Sequence, residues 1–84
     1  MARSGFEKGL EEVDRIAPGM SADTMWEAFS AAVAKHDSGS FIGSGYYGAE
    51  YELGKAAAYA DSLGLDPTAA IRAEQVRLTS EGSK

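Results

Sequence analysis

The sequence predicts an all-α fold, a small four-helix domain with a Gly/Ser-rich loop between the second and third helices. Apolar residues recur at helical spacing through most of the 84-residue chain. Residues typical of helix starts and stops divide that pattern into four segments. Cysteine is absent, so disulfides and thiolate metal sites cannot stabilise so short a chain. We therefore expect one domain over residues 1–84, stabilised by helix packing or self-association.

The first helix is predicted over about residues 5–16. Ser4 and Glu7 have the spacing of a capping box at its start, and Pro18-Gly19 is expected to end it. Its apolar residues fall on one face, which predicts a side packed against the rest of the chain.

The second helix is predicted over about residues 22–36, with Ser21 as N-cap and Asp23 in its first turn. It carries the clearest apolar stripe in the chain, and we expect that stripe to be core. The stripe consists of Ala22, Met25, Trp26, Phe29, Ala32, Val33 and His36.

The third helix is predicted over about residues 46–63, ending in a Schellman-type turn with Gly64 at the C′ position. One of its faces consists of small residues with a few leucines, so a neighbouring helix can approach closely. The residues of that face are Ala49, Leu53, Ala56, Ala57, Ala60 and Leu63.

The fourth helix is predicted over about residues 67–79, because Asp66-Pro67 places an N-cap residue directly before proline at the first helical position. Apolar residues are spread around its axis, so we expect it to lie between two surfaces or to contact another subunit. Residues 80–84 are polar and are predicted to be frayed.

The charge balance limits the classes of partner. Thirteen acidic residues oppose eight basic ones, giving a net charge of −5 that disfavours binding to long nucleic acid. No apolar run approaches the ~18 residues of a membrane span, and no secretory signal is evident. We therefore expect a cytoplasmic protein without membrane contact, whose acidic surface suits a basic protein partner.

A glycine-rich motif, Gly43-Ser44-Gly45-Tyr46-Tyr47-Gly48, precedes the third helix. Backbone N–H groups of such a loop, together with a helix N-terminus, can bind phosphate. The dinucleotide fingerprint also requires a preceding strand, which this chain does not supply, so a Rossmann fold is excluded. The motif indicates either a general anion site or a tight helix entry without a ligand.

A ridge of aromatic residues and one cation follows the motif, because Tyr47, Tyr51, Lys55 and Tyr59 succeed one another at i,i+4 steps. Such a ridge can stack against a base, and Lys55 can lie over a tyrosine ring. It can equally form a protein interface, where tyrosine is enriched, or pack as core.

No enzymatic activity, cofactor or metal is expected. His36, Asp37 and Ser38 include the residue types of a hydrolytic triad, but such triads are assembled from distant segments. Glu50 and Glu52 are two apart and point away from each other on a helix.

The resulting hypothesis is a non-enzymatic, homo-oligomeric binding protein that sequesters a small anionic ligand, such as a nucleotide signal. Its predicted ligand-binding residues are Ser44, Gly45, Tyr46, Tyr47, Tyr51, Lys55 and Tyr59. The alternative hypothesis is an acidic inhibitor or adaptor, of the kind common among phage and bacterial accessory proteins, that docks on a basic partner.

Overall fold

The computed structural model describes the backbone of residues 4–38 and 45–82 and the side chains of residues 4–38 and 48–80. These residues form four α-helices and no strand, which confirms the predicted all-α class. The helices are α1 (Gly5–Ile16), α2 (Ala22–Ser38), α3 (Gly45–Ser62) and α4 (Pro67–Gly82), and a 3₁₀ turn at Ala17–Gly19 follows α1. Most of the predicted Gly/Ser-rich loop, including Ser44, lies outside the described residues. Within them, no helix combines the length and apolar character that crossing a membrane requires.

The predicted starts of α1, α2 and α4 are confirmed by side-chain caps. Ser4 and Glu7 form the reciprocal capping box, in which each side chain accepts a hydrogen bond from the other residue's backbone N–H. Ser21 Oγ accepts from the backbone of Thr24 at 3.1 Å, at the start of α2. The Asp66 carboxylate accepts from the backbone of Ala69 at 2.9 Å, at the start of α4. These contacts satisfy N–H groups that have no partner within the helix itself.

The end of α3 is a Schellman turn, as predicted. Gly64 has a φ of +81°, which glycine adopts without strain. The backbone N–H of Leu65 donates to the carbonyl of Ala60, and that of Gly64 donates to the carbonyl of Asp61. Leu65 itself does not fold fully inward but stays partly exposed.

Two helices continue beyond their predicted ends. α2 includes Asp37 and Ser38, which were expected to belong to the loop, and the Ser38 hydroxyl donates to the carbonyl of Lys35 at 2.8 Å. α4 runs to Gly82, beyond its predicted end at about residue 79. No proline or glycine interrupts this segment before Gly82, so the sequence lacks a signal that would stop the helix earlier.

The core lies between α3 and its neighbours, since α3 contacts each of the other three helices. The largest fully buried side chains are Val13 of α1 and Phe29 and Val33 of α2. Each contributes roughly 1.5–3 kcal/mol through burial. Met25 and Ala32 of α2, together with Tyr59 and three alanines of α3, complete the cluster.

Two residues of the predicted core stripe on α2, Ala22 and Trp26, are exposed and do not belong to the core. Trp26 is 50% exposed, and its ring stacks flat on Phe29 with the centroids 5.2 Å apart. Met25 and Phe29 occupy the buried side of this turn, so Trp26 covers the core from its edge.

The backbones of α1 and α3 meet at two glycines. A Cβ atom on Gly9 would lie 2.7 Å from the backbone nitrogen of Lys55, and nearer still to the carbonyl oxygen of Tyr51. A Cβ atom on Gly54 would lie 2.9 Å from the carbonyl carbon of Phe6. Both glycines are buried, so this crossing depends on the absence of side chains.

Candidate functional site

The predicted ligand-binding residues are only partly within the described region. Ser44 lies outside it, and Gly45 is the first residue of α3. Tyr46 and Tyr47 belong to the first turn of α3, but their side chains are outside the described set. The predicted phosphate-binding loop therefore stays a prediction, and the geometry of the ridge rests on Tyr51, Lys55 and Tyr59.

Lys55 lies over the ring of Tyr51, as the i,i+4 spacing predicted. Its Nζ atom is 4.9 Å from the ring centroid, within range of a cation–π interaction. The same Nζ atom is 3.3 Å from the carboxylate of Glu52, a residue only 6% exposed. An anionic ligand at Lys55 must therefore compete with a buried carboxylate that already pairs with it.

Tyr59 belongs to the core rather than to an outer ridge. It is 5% exposed, and burial raises the pKa of its phenol above the ordinary value, with further increases from the nearby Glu12, Tyr51 and Glu52. Each i,i+4 step rotates about 40° around a helix, so the two steps from Tyr51 to Tyr59 rotate the ridge from the edge into the interior. This ring is not available for stacking on a ligand.

An ion pair lies on α1 beside this end of the ridge. Arg15 donates to the carboxylate of Glu12 at 2.6 Å, and this hydrogen bond is the main cause that lowers the pKa of Glu12. The charge of Lys55 lowers the same pKa further, and the charge of Glu12 raises that of Tyr59. Charged side chains of α1 therefore act on Lys55 and Tyr59 of α3, beside the glycine crossing of the two helices.

A groove of about 670 Å³ opens between α1 and α4, with α3 as its floor. Its volume is within the range of small-molecule sites in proteins. Apolar side chains from all three helices line it, namely Phe6 and Leu10 of α1, Leu53 and Ala57 of α3, and Ile71 of α4. We call this feature the α1–α3–α4 groove.

Three charged residues also line the α1–α3–α4 groove: Asp14 of α1, Asp61 of α3 and Arg72 of α4. Among the described residues, none of these three side chains has an ion-pair or hydrogen-bond partner. The groove thus combines an apolar floor with three charges that no described residue pairs.

A smaller cavity of about 280 Å³ lies between α2 and α4, beside the exposed Trp26. The carboxylate of Glu74, 7% exposed, accepts hydrogen bonds there from Arg77 and from the hydroxyl of Ser30. The hydrogen bond from Arg77, followed by that from Ser30, lowers the pKa of Glu74 below its ordinary value. This arrangement pairs Arg77 with Glu74 and ties α4 to α2.

The three adjacent residues at the end of α2, His36, Asp37 and Ser38, contact each other, the backbone of α2 or the neighbouring helix α4. His36 Nδ1 lies 3.0 Å from the carboxylate of Asp37, and that carboxylate also accepts from the amide of Gln75 on α4. The Ser38 hydroxyl donates a hydrogen bond to the backbone carbonyl of Lys35 within α2. Within residues 4–38 and 45–82, no group of three potential ligands could hold a metal ion.

No family model, curated protein or solved structure matches this chain. Sequence reasoning identified Leu53 and Ala57 as a face that another helix can approach, but it did not identify the groove. Two apolar pairs at i,i+4 spacing, Phe6–Leu10 and Leu53–Ala57, each followed four residues later by an aspartate, were the available signal.

Proposed function

We propose that this protein is a non-enzymatic acidic adaptor or inhibitor that binds a helical segment of a partner protein in the α1–α3–α4 groove. The observation that carries this proposal is the groove itself, whose apolar floor is open within the described structure. Amphipathic helices bind in apolar grooves of this kind by inserting residues spaced at three and four positions.

The charge of the protein favours a basic partner. The net charge of −5 raises the rate of encounter with a positively charged segment and opposes association with acidic surfaces. This is the partner chemistry expected from the composition of the chain.

Sequestration of a nucleotide is less well supported by the described residues. Lys55 is paired with Glu52, and Tyr59 is buried. A phosphate site would depend on Ser44 and Gly45, and their contacts lie outside the described structure. We therefore place protein binding ahead of ligand binding.

Self-association remains the alternative use of the same groove. The apolar groove and the exposed Val76 on α4 provide surfaces that a second copy could cover. Two copies would bring together two chains of net charge −5, which opposes association at low salt. This repulsion is why a basic partner is the preferred occupant.

Filling the groove tests the proposal. Ala57 is half-buried on the groove floor, and Ala34 is exposed on α2 outside the groove. We expect Ala57→Phe to abolish binding of a stapled, leucine-faced, lysine-bearing helical peptide, while Ala34→Phe leaves it unchanged. Fluorescence anisotropy measures binding, and circular dichroism confirms that both variants are folded. Equal affinity of the Ala57→Phe variant and the unmodified protein would refute groove binding.

A further inference from the structure

We infer that the cavity of about 280 Å³ between α2 and α4 is a second binding site, in which an arginine side chain of a basic partner stacks on Trp26 and pairs with Glu27. We call this feature the Trp26 cavity. None of its lining residues lines the α1–α3–α4 groove. The inference therefore concerns a separate surface and does not depend on the function proposed for the groove.

Trp26 presents an aromatic surface that the chain does not use for its core. The residue is 50% exposed, whereas Phe29 beneath it is fully buried. The two rings are stacked, with an interplanar angle of 9° and centroids 5.2 Å apart. Because Phe29 supports one face of the indole ring, the opposite face and the ring edge carry the exposed area. Tryptophan is the best aromatic partner for a stacked cation and is enriched in the residues that dominate binding at interfaces.

The charges that line the Trp26 cavity leave one carboxylate without a partner. Arg77 and Glu74 pair with each other, and Arg77 also donates to the hydroxyl of Ser30 at 3.1 Å. Glu27 is exposed, and its carboxylate has no ion-pair or hydrogen-bond partner among the described residues. An incoming cation therefore meets a guanidinium that Glu74 already compensates and a carboxylate that nothing described compensates.

Arginine fits this combination better than lysine does. Its guanidinium is planar and weakly hydrated, so it can stack on an indole ring while its N–H groups pair with a carboxylate. The cavity is slightly smaller than the ~300–1,000 Å³ of typical small-molecule sites, which suits one inserted side chain rather than a whole helix.

The net charge of the chain indicates where the arginine comes from. A charge of −5 attracts a basic protein segment and repels a second copy of the same chain. The occupant is therefore an arginine-bearing segment of a basic partner.

Three peptides test the inference, with emission from the sole tryptophan of the chain as the readout. All are unstructured glycine–serine peptides that carry arginine, lysine or citrulline at the same three positions. Citrulline is planar like arginine but has no charge. We expect the arginine peptide to change the emission of Trp26 in a saturable way, the lysine peptide to bind more weakly and the citrulline peptide to have no effect. Lysine or citrulline peptides that bind as tightly as the arginine peptide would overturn the inference.

Variants of the protein locate the effect, with binding measured by fluorescence anisotropy of a labelled arginine peptide. We expect Trp26→Leu and Glu27→Gln each to weaken binding about two- to fivefold, the range given by exposed cation–π contacts and exposed ion pairs. Glu11→Gln removes one exposed charge on α1, outside the cavity, and should change affinity less than twofold. Circular dichroism confirms that the variants are folded. A Glu27→Gln variant indistinguishable from Glu11→Gln would overturn the inference.

Two further measurements separate this inference from the proposed function and from self-association. Ala57→Phe fills the groove but does not touch the Trp26 cavity, so it should leave binding of the arginine peptide unchanged. Loss of that binding in Ala57→Phe would place the peptide in the groove and overturn the inference. Without peptide, the emission of Trp26 should stay constant as the protein is diluted. A change on dilution would show that a second copy covers Trp26, which would also overturn the inference.

Discussion

Gly9 of α1 and Gly54 of α3 face each other where the two helices cross, and neither has room for a Cβ atom. This close approach sets the separation of α1 from α3, the two helices that form one wall and the floor of the groove. The glycines cost helix stability locally, but they allow the backbones to meet.

Gly9→Ala is expected to destabilise the protein by about 1–3 kcal/mol, the cost of overpacking a close contact. The sign is diagnostic, because glycine to alanine within a helix ordinarily stabilises it by about 0.5–1 kcal/mol. Urea unfolding at neutral pH measures the change. Gly19→Ala, where an added Cβ atom meets nothing within 4 Å, is the control and should change stability little. A more stable Gly9→Ala variant would contradict the described crossing.

Acid should loosen the contact between α2 and α4. Because the folded-state pKa of Glu74 is below its ordinary value of 4.5, its stabilising contribution is present above pH 4.5 and is lost as pH falls through the lower, folded-state pKa. At neutral pH, Glu74→Gln is expected to cost about 1–3 kcal/mol, because Arg77 and Ser30 lose a charged partner.

The test is the free energy of urea unfolding as a function of pH. We expect Glu74→Gln to show a smaller loss of stability below pH 4.5 than the unmodified protein. Glu27 is an exposed glutamate on the same side of α2, and the Glu27→Gln variant should lose as much stability below pH 4.5 as the unmodified protein. An unchanged acid dependence in Glu74→Gln would show that this carboxylate is not selectively stabilised.

Tyr59 should titrate at higher pH than an exposed tyrosine. Its raised pKa means that its contribution to stability is fully present below the ordinary value of 10.0 and is lost as pH rises through the higher, folded-state pKa. Phenolate absorbance during alkaline titration should show a late component that Tyr59→Phe removes. Tyr51→Phe should leave that late component in place. If Tyr51→Phe removes it and Tyr59→Phe does not, the buried phenol is not that of Tyr59.

Nucleotides are expected to leave the melting temperature unchanged. A ligand that binds the folded state raises the melting temperature by mass action, but the charge of Lys55 is already paired with Glu52. Thermal unfolding with millimolar adenosine triphosphate, and separately with inorganic phosphate, checks this expectation. A nucleotide-induced rise in the melting temperature that is absent in Lys55→Gln but present in the control Lys8→Gln would favour the nucleotide hypothesis over protein binding.

The helix starts and the end of α3 could be predicted because their signals are local. Ser4 with Glu7, Asp66 before Pro67, and Gly64 each act through contacts within a few residues of the chain. The end of α4 was misplaced because no residue before Gly82 supplies a stop signal.

Features that depend on the packing of distant helices could not be predicted in the same way. The α2 periodicity assigned Trp26 to the core because periodicity does not show which neighbour covers each side of a helix. The regular spacing from Tyr51 to Tyr59 suggested one surface, although slow rotation around α3 divides these residues between edge and interior. The groove arises from three helices together, and no single segment encodes it.

Amide chemical-shift mapping by NMR, during titration with the lysine-bearing stapled peptide, tests the central claim most directly. The account predicts perturbations concentrated at Leu10, Leu53, Ala57 and Ile71, with Asp14 and Asp61 also affected. Perturbations centred on Tyr51 and Lys55, or on the Trp26 side of α2, with the groove amides unchanged, would contradict it.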